Sequence, residues 1–308
     1  VATNGSALVS FDKIRYSTSL FSDKLRVFFG PRIDLFEYID TNSFANNAEV
    51  DFSNGGFINN RLLTPSFLGA GGGFDYQFND FLALRAVYVA ANGGAASGNP
   101  NVNFNPQGVP YGAFGAGGLF GGSTTIAAEL EINPIKTASI KLQYSRFIEQ
   151  GQLLGTNLAA LGAGGDSGST DVFGVNAEWA IVPGIAIFGR YGTASTSLNR
   201  TPNSPLNGLS FNSISSSTWQ AGLTLPNLLG TGNAFGIAYG QPIRVNSGSL
   251  AGFGFTPSGT EQNIEAFFRF QLNDRLSITP DFQYIIQAAN ISNNAGISIG
   301  TLRAVFNF

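Results

Sequence analysis

The chain has 308 residues, a net charge of −3, only 11% charged residues, and no Cys, His or Met. Absence of Cys removes disulfides, thiol nucleophiles and zinc ribbons, and absence of His removes the Ser-His-Asp triad and imidazole bases or ligands. Sixteen thinly spread basic residues argue against nucleic acid as a partner, and a 43% hydrophobic content with 28 Phe excludes a disordered chain.

The remaining pattern has period two, which places alternate side chains on opposite faces of a strand. Thirteen such segments follow in chain order: 7–16, 21–34, 67–78, 81–91, 122–132, 135–148, 170–182, 185–197, 216–225, 233–243, 260–272, 275–288 and 297–308. In 260–272, for example, Ile264, Ala266, Phe268 and Phe270 alternate with Asn263, Glu265, Arg269 and Gln271. Most segments are longer than the usual strand of about 5–6 residues and match the roughly 9–11 that a tilted strand needs to cross a bilayer. No apolar run is long enough for a transmembrane helix, and the opening VATNGSALVS lacks the basic and apolar regions of a signal peptide. The chain therefore reads as processed or trimmed.

Connections alternate between short and long. The short ones are Asn79-Asp80, Asn133-Pro134, Pro183-Gly184, Pro226–Gly232 and Asn273-Asp274; the long ones are 41–65, 92–121, 149–169, 198–215, 244–259 and 289–296. One trimmed rim and one elaborated rim fit an outer-membrane barrel. If the apolar parity faces lipid, Asp75, Glu129, Glu131, Glu178, Glu265 and Asp281 point inward with most of the basic residues. Lys136, Arg146 and Asp171 point outward near strand ends. A soluble sandwich has the same alternation, so strand length, rim asymmetry and aromatic placement decide. Tyr88, Tyr144, Trp179, Tyr191, Trp219, Tyr239, Phe306 and Phe308 all lie on the apolar parity, as an interfacial girdle requires. The predicted fold is all-β, a transmembrane antiparallel up-and-down β-barrel. Thirteen strands is an odd number, so an odd number of further strands is expected upstream, unless one segment merges two.

The blocks VSFDKIRY (9–16), YIDTNSFANNAEVDFSNGGFINN (38–60), GLFGG (118–122), FGVNAEWA (173–180), GRYG (189–192), GIAYGQP (236–242), EAFFRFQLNDRLSITP (265–280) and GTLRAVFNF (300–308) resemble the cyanobacterial outer-membrane porins often labelled iron-uptake porins, within the carbohydrate-selective porin family. The resemblance runs across the whole chain. It implies an outer-membrane protein with 16 strands, three of them before the VSFDK block. It also implies a signal peptide, a peptidoglycan-holding S-layer-homology domain and a coiled coil, none of which maps to residues here. A homotrimer is implied too, with Gly236, Ala238 and Gly240 as an outward patch for close approach. Phe308 is implied to end a signal read by the barrel-assembly machinery.

A barrel of about 16 strands leaves an aqueous channel for small hydrophilic solutes and ions. The basic residues assigned to its lining are Lys24, Arg26, Arg85, Lys141, Arg190, Arg269 and Arg303. They are either scattered lumen charge or a stripe facing an acidic loop. The acidic candidates are Glu49 and Asp51 in 41–65, which either folds into the lumen as a constriction or covers the mouth from outside. The Gly-rich 108–122 is a second insertion candidate without a phosphate-cradle signature, and Asp166 is a faint calcium-loop candidate. No cofactor, no metal site and no iron site follow from these residues. The expected function is passive diffusion of inorganic ions and small solutes. The alternatives are a structural protein with a plugged lumen, or a membrane hydrolase, which the lack of His disfavours.

Overall fold

The computed structural model describes residues 14–307 apart from 22, 66–67, 92, 94–117 and 154–155. Its strands are β1 (Tyr16–Leu20), β2 (Leu25–Asp34), β3 (Leu68–Gln77), β4 (Leu82–Ala90), β5 (Thr124–Ile135), β6 (Ala138–Gln150), β7 (Gln152–Leu153), β8 (Thr156–Asn157), β9 (Ser167–Val182), β10 (Ile185–Asn199), β11 (Phe211–Pro226), β12 (Ala234–Leu250), β13 (Phe253–Gly254), β14 (Gln262–Asn273), β15 (Leu276–Ile286) and β16 (Ile297–Phe306). Among the described residues, one antiparallel meander runs β1-β2-β3-β4-β5-β6-β9-β10-β11-β12-β14-β15-β16, with β13 paired to β12, while β7 and β8 form a separate two-stranded ribbon. The end strands β1 and β16 are not paired with each other. No helix among the described residues is long and apolar enough to cross a membrane.

The short turns have local causes. Asn79 Oδ1 accepts the backbone N–H groups of Phe81 and Leu82, both at 2.9 Å. Asn273 Oδ1 does the same for Arg275 at 2.9 Å and Leu276 at 3.0 Å. In both, a short side chain supplies the acceptor that a turn leaves missing. The predicted boundaries move in three places. The first hairpin turns at 21–24, where Phe21 and Asp23 adopt positive φ of 53° and 66°, so Lys24 lies in the turn and not on the wall. Residues 7–13 of the first predicted segment lie outside the described residues. Asn133-Pro134 is not a turn: β5 continues to Ile135 with a register shift after Ile132 that accommodates the proline, and the turn is 136–137. Finally, β9 to β12 have 15–17 residues each, longer than predicted, because their upper ends carry Ser and Thr on the outer face and lose the apolar alternation.

The two faces differ as a lipid-facing wall demands. Ile126, Leu142, Phe173, Ile187, Ile237, Phe282 and Leu302 are exposed on the outer face, while Ala127, Glu129, Gln143, Asn176, Arg190, Glu265 and Asp281 are buried on the inner one. Outer aromatics pair as Tyr144–Phe173 and Trp219–Tyr239 toward the long-loop rim, and as Tyr76–Phe78 and Phe268–Phe270 toward the short-turn rim. The outward charges Arg146 and Asp171 neutralise each other at 3.1 Å. One expectation fails. Gly236, Ala238 and Gly240 face inward, not outward: Ala238 is buried in an inner cluster with Phe52, Phe188 and Phe267, and a Cβ on Gly236 would meet the Phe267 ring. Tyr239 takes the outer face, so its neighbours on the strand cannot.

Candidate pore constriction

Register places inner side chains in rows across neighbouring strands. One row is Arg26, Asp75, Arg85, Glu129, Gln143, Gly174, Gly192 and Thr218. The next is Glu131, Lys141, Asn176, Arg190, Gln220, Gly240 and Asn263. A third is Ser139, Glu178, Phe188, Gly222, Ala238, Glu265 and Gln283. The β2–β3 connection lies across these rows on the inner face. It begins with a 3-10 turn at Leu35–Glu37 and contains the short helix α1 (Gly55–Ile58), whose preceding Asn54 caps Gly56 N at 2.7 Å.

Two apolar clusters seat this segment. Tyr38, Ile39, Leu62 and Leu63 pack on Phe28, Val87, Val89, Ala127 and Val172, with Tyr38 stacked on Phe28 at 3.8 Å between ring centroids. Phe52 and Phe57 pack on Phe188, Ala238 and Phe267, Phe52 meeting Phe267 edge-on at 5.0 Å. Polar anchors then fix it. Arg190, 3% exposed, pairs its Nε with Asp40 Oδ1 at 3.0 Å and donates to the carbonyls of Phe57, Asp40 and Ala45 at 2.8–3.0 Å. Asp40 also accepts from Asn60 N at 2.5 Å and Asn176 Nδ2 at 2.9 Å. Lys141 donates to the Thr41 carbonyl, and Gln220 to that of Phe57 at 2.9 Å. Wall carboxylates take the segment's N–H groups: Glu129 from Asp40 at 2.8 Å, Glu178 from Ser43 at 2.5 Å, and Glu265 from Ser53 and from Asn54, the latter at 3.0 Å. At the other end, Arg269 donates to the Val50 carbonyl at 3.2 Å and Arg303 to that of Ala48, while Arg303 also holds Asp281 at 3.2 Å. The segment is thus held on β5–β10 and again on β14–β16.

Close approach requires wall positions without side chains. A Cβ at Gly192 would stand 2.7 Å from Asn60 Nδ2, and one at Gly174 would stand 3.0 Å from Leu63 Cδ1. The two glycines are direct neighbours in register and form the floor under residues 60–63.

A family model described as carbohydrate-selective porin, OprB family, matches residues 13–308. The chain belongs to this family. The uncharacterized protein sll0772 of Synechocystis sp. (strain ATCC 27184 / PCC 6803 / Kazusa) is 30% identical over 258 residues, covering 78% of this chain and 43% of that protein. The chain therefore spans less than half the length of that relative. Among solved structures, Pseudomonas putida OprB at high pH superposes with a TM-score of 0.62 at 15% identity, over 96% of this chain and 72% of that one. OmpT of Vibrio cholerae, in its trimer form, gives 0.54 at 10% identity over 92% and 75%. This chain is an outer-membrane β-barrel protein of the OprB porin family, a family of channels and not of enzymes.

In this OprB-family wall the sequence-assigned residues divide. Lys141, Arg190, Arg269 and Arg303 meet the β2–β3 segment directly. Arg85 instead bridges wall acids, reaching Glu129 at 2.8 Å and also Glu131, and Arg26 binds Asp75 with its Nε at 2.6 Å. Of the two acids assigned to the segment, Glu49 is exposed, and Asp51 accepts the backbone N–H groups of Asn46 and Asn47 at 3.2 Å each. Burial raises the Asp51 carboxyl above its ordinary value, against the lowering effect of those N–H groups and of Arg269 and Arg303. The acid that a wall cation holds is Asp40, one residue before the expected range. Glu129, Glu178 and Glu265 were legible as inward positions but not as anchors, because what they hold in the segment is backbone N–H groups that no sequence pattern marks. Asp166 accepts from Thr201 N at 2.8 Å and Ser204 Oγ at 2.5 Å, so it ties two outer loops together and its oxygens are taken by donors. Residues 94–117 of the Gly-rich connection, and Phe308, lie outside the described residues.

Proposed function

We propose that this chain forms the wall and constriction of a water-filled channel through which inorganic ions and small hydrophilic solutes diffuse passively across the outer membrane. The observation that carries the reading is the segment 35–65 laid across the inner face and bound on two separate parts of the wall by inward charges. Such a segment narrows a barrel of porin width without closing it, and the lining charge then filters solutes. Unpaired backbone at membrane depth is costly, so the proposal includes strands upstream of residue 14 that pair with β1 and β16 and bring the count to 16. It also includes a homotrimer and recognition of Phe308 by the barrel-assembly machinery. The test is planar-bilayer recording of the full protein carrying this chain: stepwise, ohmic conductance is expected. A second reading, a structural protein with a plugged lumen, draws on the two apolar clusters that fill the space between segment and wall. Absence of conductance steps from a correctly folded, heat-modifiable barrel would establish it in place of the channel.

A further inference from the structure

On the long-loop side of the segment, the inner face of β9–β11 carries a second structure, a roof built from the connections 151–166 and 200–209. The β7–β8 ribbon and a 3-10 turn at Leu158–Leu161 belong to the first, and a turn at Thr201–Ser204 to the second. A Cβ at Gly168, on the inner parity of β9, would stand 2.9 Å from the Gln152 carbonyl oxygen, so the ribbon lies directly on the strand. Leu153, Leu158, Ala163 and Leu206 are buried with Ile214 and Leu250, and Leu198 packs beside them. One charge lies inside. Asp166 is buried, and its carboxylate accepts from Thr201 N at 2.8 Å, Thr201 Oγ1 at 3.1 Å and Ser204 Oγ at 2.5 Å, with no cation on it among the described residues. Charge-assisted bonds of this kind are roughly twice as strong as neutral ones, and these join one connection to the other.

The roof and the constricting segment meet at one row of the wall. Register aligns Val89, Thr125, Phe147, Thr170, Thr196 and Ile214 on the inner faces of β4, β5, β6, β9, β10 and β11. Val89 and Phe147 belong to the cluster that seats the segment, and Ile214 to the cluster of the roof. Rows on one face are about 6.7 Å apart. The row on the segment side holds Val172 and Ala194 of the seat, and Ser145, whose Oγ donates to the Leu63 carbonyl at 3.0 Å. The row on the other side holds Gly168 and Leu198 under the roof. On β12 the same step separates Ile243, packed on the seat, from Val245, packed on the roof. The three threonines of the shared row are 0% exposed, and the Thr170 and Thr196 hydroxyls bond to each other at 2.8 Å. Hydroxyls on the inner wall of a water-filled barrel are wet unless something covers them. Here segment and roof border the same dry row from its two sides.

We infer that 151–166 and 200–209 brace the constricting segment from the long-loop side, and that Asp166 is the positioning residue that keeps the brace closed. The seat of Leu62 and Leu63 ends where the roof begins, so an open roof admits water to that edge of the seat. The role in transport rests on the channel reading above, but the coupling itself does not require conductance. The test is hydrogen exchange of the full protein in detergent, with heat-modifiable mobility as the check on the barrel. Asp166→Ala is expected to speed exchange of the 204–209 amides about tenfold, the scale of one lost hydrogen bond to a charged group, and the Leu62, Leu63 and Thr64 amides to a smaller degree. The Val50 and Asp51 amides, on the part of the segment held by Arg269 and Arg303, should keep the wild-type rate. Asp166→Asn, whose oxygen still accepts from Thr201 N and whose Nδ2 can donate to Ser204 Oγ, should restore most of the protection in both places. If Asp166→Ala does not fold, Ser204→Ala removes a single donor and should give the same pattern at lower amplitude. In planar bilayers, open-channel noise should rise in Asp166→Ala and return toward wild type in Asp166→Asn. Faster exchange at 204–209 with unchanged exchange at 62–64 would overturn the brace, and unchanged exchange at both would overturn Asp166 as its positioning residue. Coupled exchange in a protein without conductance would keep the brace and remove the channel; conductance with uncoupled exchange would do the reverse.

Discussion

Replacing Arg190 with Met tests what holds the β2–β3 segment in place. The guanidinium is 3% exposed and satisfies one carboxylate and three carbonyls of the β2–β3 segment. Met keeps much of the volume but leaves Asp40 buried with no cation, and breaking one side of a buried pair costs about 3–5 kcal/mol. At 1.4 kcal/mol per decade, the seated form should lose about two to four decades against a displaced one. Because β16, β14 and the apolar clusters still hold other parts of the segment, the expected result is partial release around residues 40–45 and 57. In single-channel records that release appears as raised, noisier conductance, while heat-modifiable mobility shows that the barrel itself persists. Asp40→Asn should act in the same direction, and it also weakens the acceptor for Asn60 N and Asn176 Nδ2. The double variant Asp40→Asn/Arg190→Met removes both charges, so its effect should fall short of the sum of the singles by at least about 1 kcal/mol. Quiet, wild-type conductance in Arg190→Met would refute the assignment of Arg190 as an anchor, and strict additivity would refute the direct pairing.

Three further outcomes follow from separate features. Gly192→Val should lift residues 60–63 off the wall, since even a Cβ there comes within 2.7 Å of Asn60 Nδ2; hydrogen exchange of the 60–63 amides should rise while β9 and β10 stay protected. Leu84→Arg puts a charge on the outer face of β4 and should destabilise the inserted barrel by about 2–4 kcal/mol at the bilayer midplane, as read by reversible unfolding in vesicles; a neutral result would reverse the facing of the wall. Asp51 has a carboxyl pKa raised by burial, so the seated segment binds a proton more readily than a displaced, hydrated one. Acid therefore favours seating and the contribution is lost as pH rises. Conductance should fall in wild type as pH is lowered through the raised Asp51 pKa toward the ordinary carboxylate range, with a smaller fall in Asp51→Asn.

The wall was legible because its two environments impose a local rule. Lipid on one side and water or packed segment on the other sort alternate residues, so Ile264, Ala266 and Phe268 separate from Asn263, Glu265 and Arg269 without reference to anything distant. That rule weakens where the outer face carries Ser213, Ser215 and Ser217 at the upper end of β11, opposite Ile214 buried among the long loops, and the predicted strands stop short there. It is also easily misapplied by one residue: the same alternation that puts Tyr239 outside puts Ala238 and Gly240 inside.

The inward charges of the wall were written in the sequence, but their use was not. Whether Arg190 faces water or a buried carboxylate depends on register across five strands and on a segment about 150 residues earlier in the chain. Asp40, Ala45 and Phe57 reach it mainly through backbone carbonyls, which every residue has and which therefore leave no trace in composition. Periodicity, with strand length, rim asymmetry and aromatic placement, determined a lipid-facing β wall with a charged interior. Only the tertiary structure decided that this interior charge is bound up in holding the β2–β3 segment across the inner face, because long-range pairing through generic backbone groups costs no particular residue type and so carries no local signature.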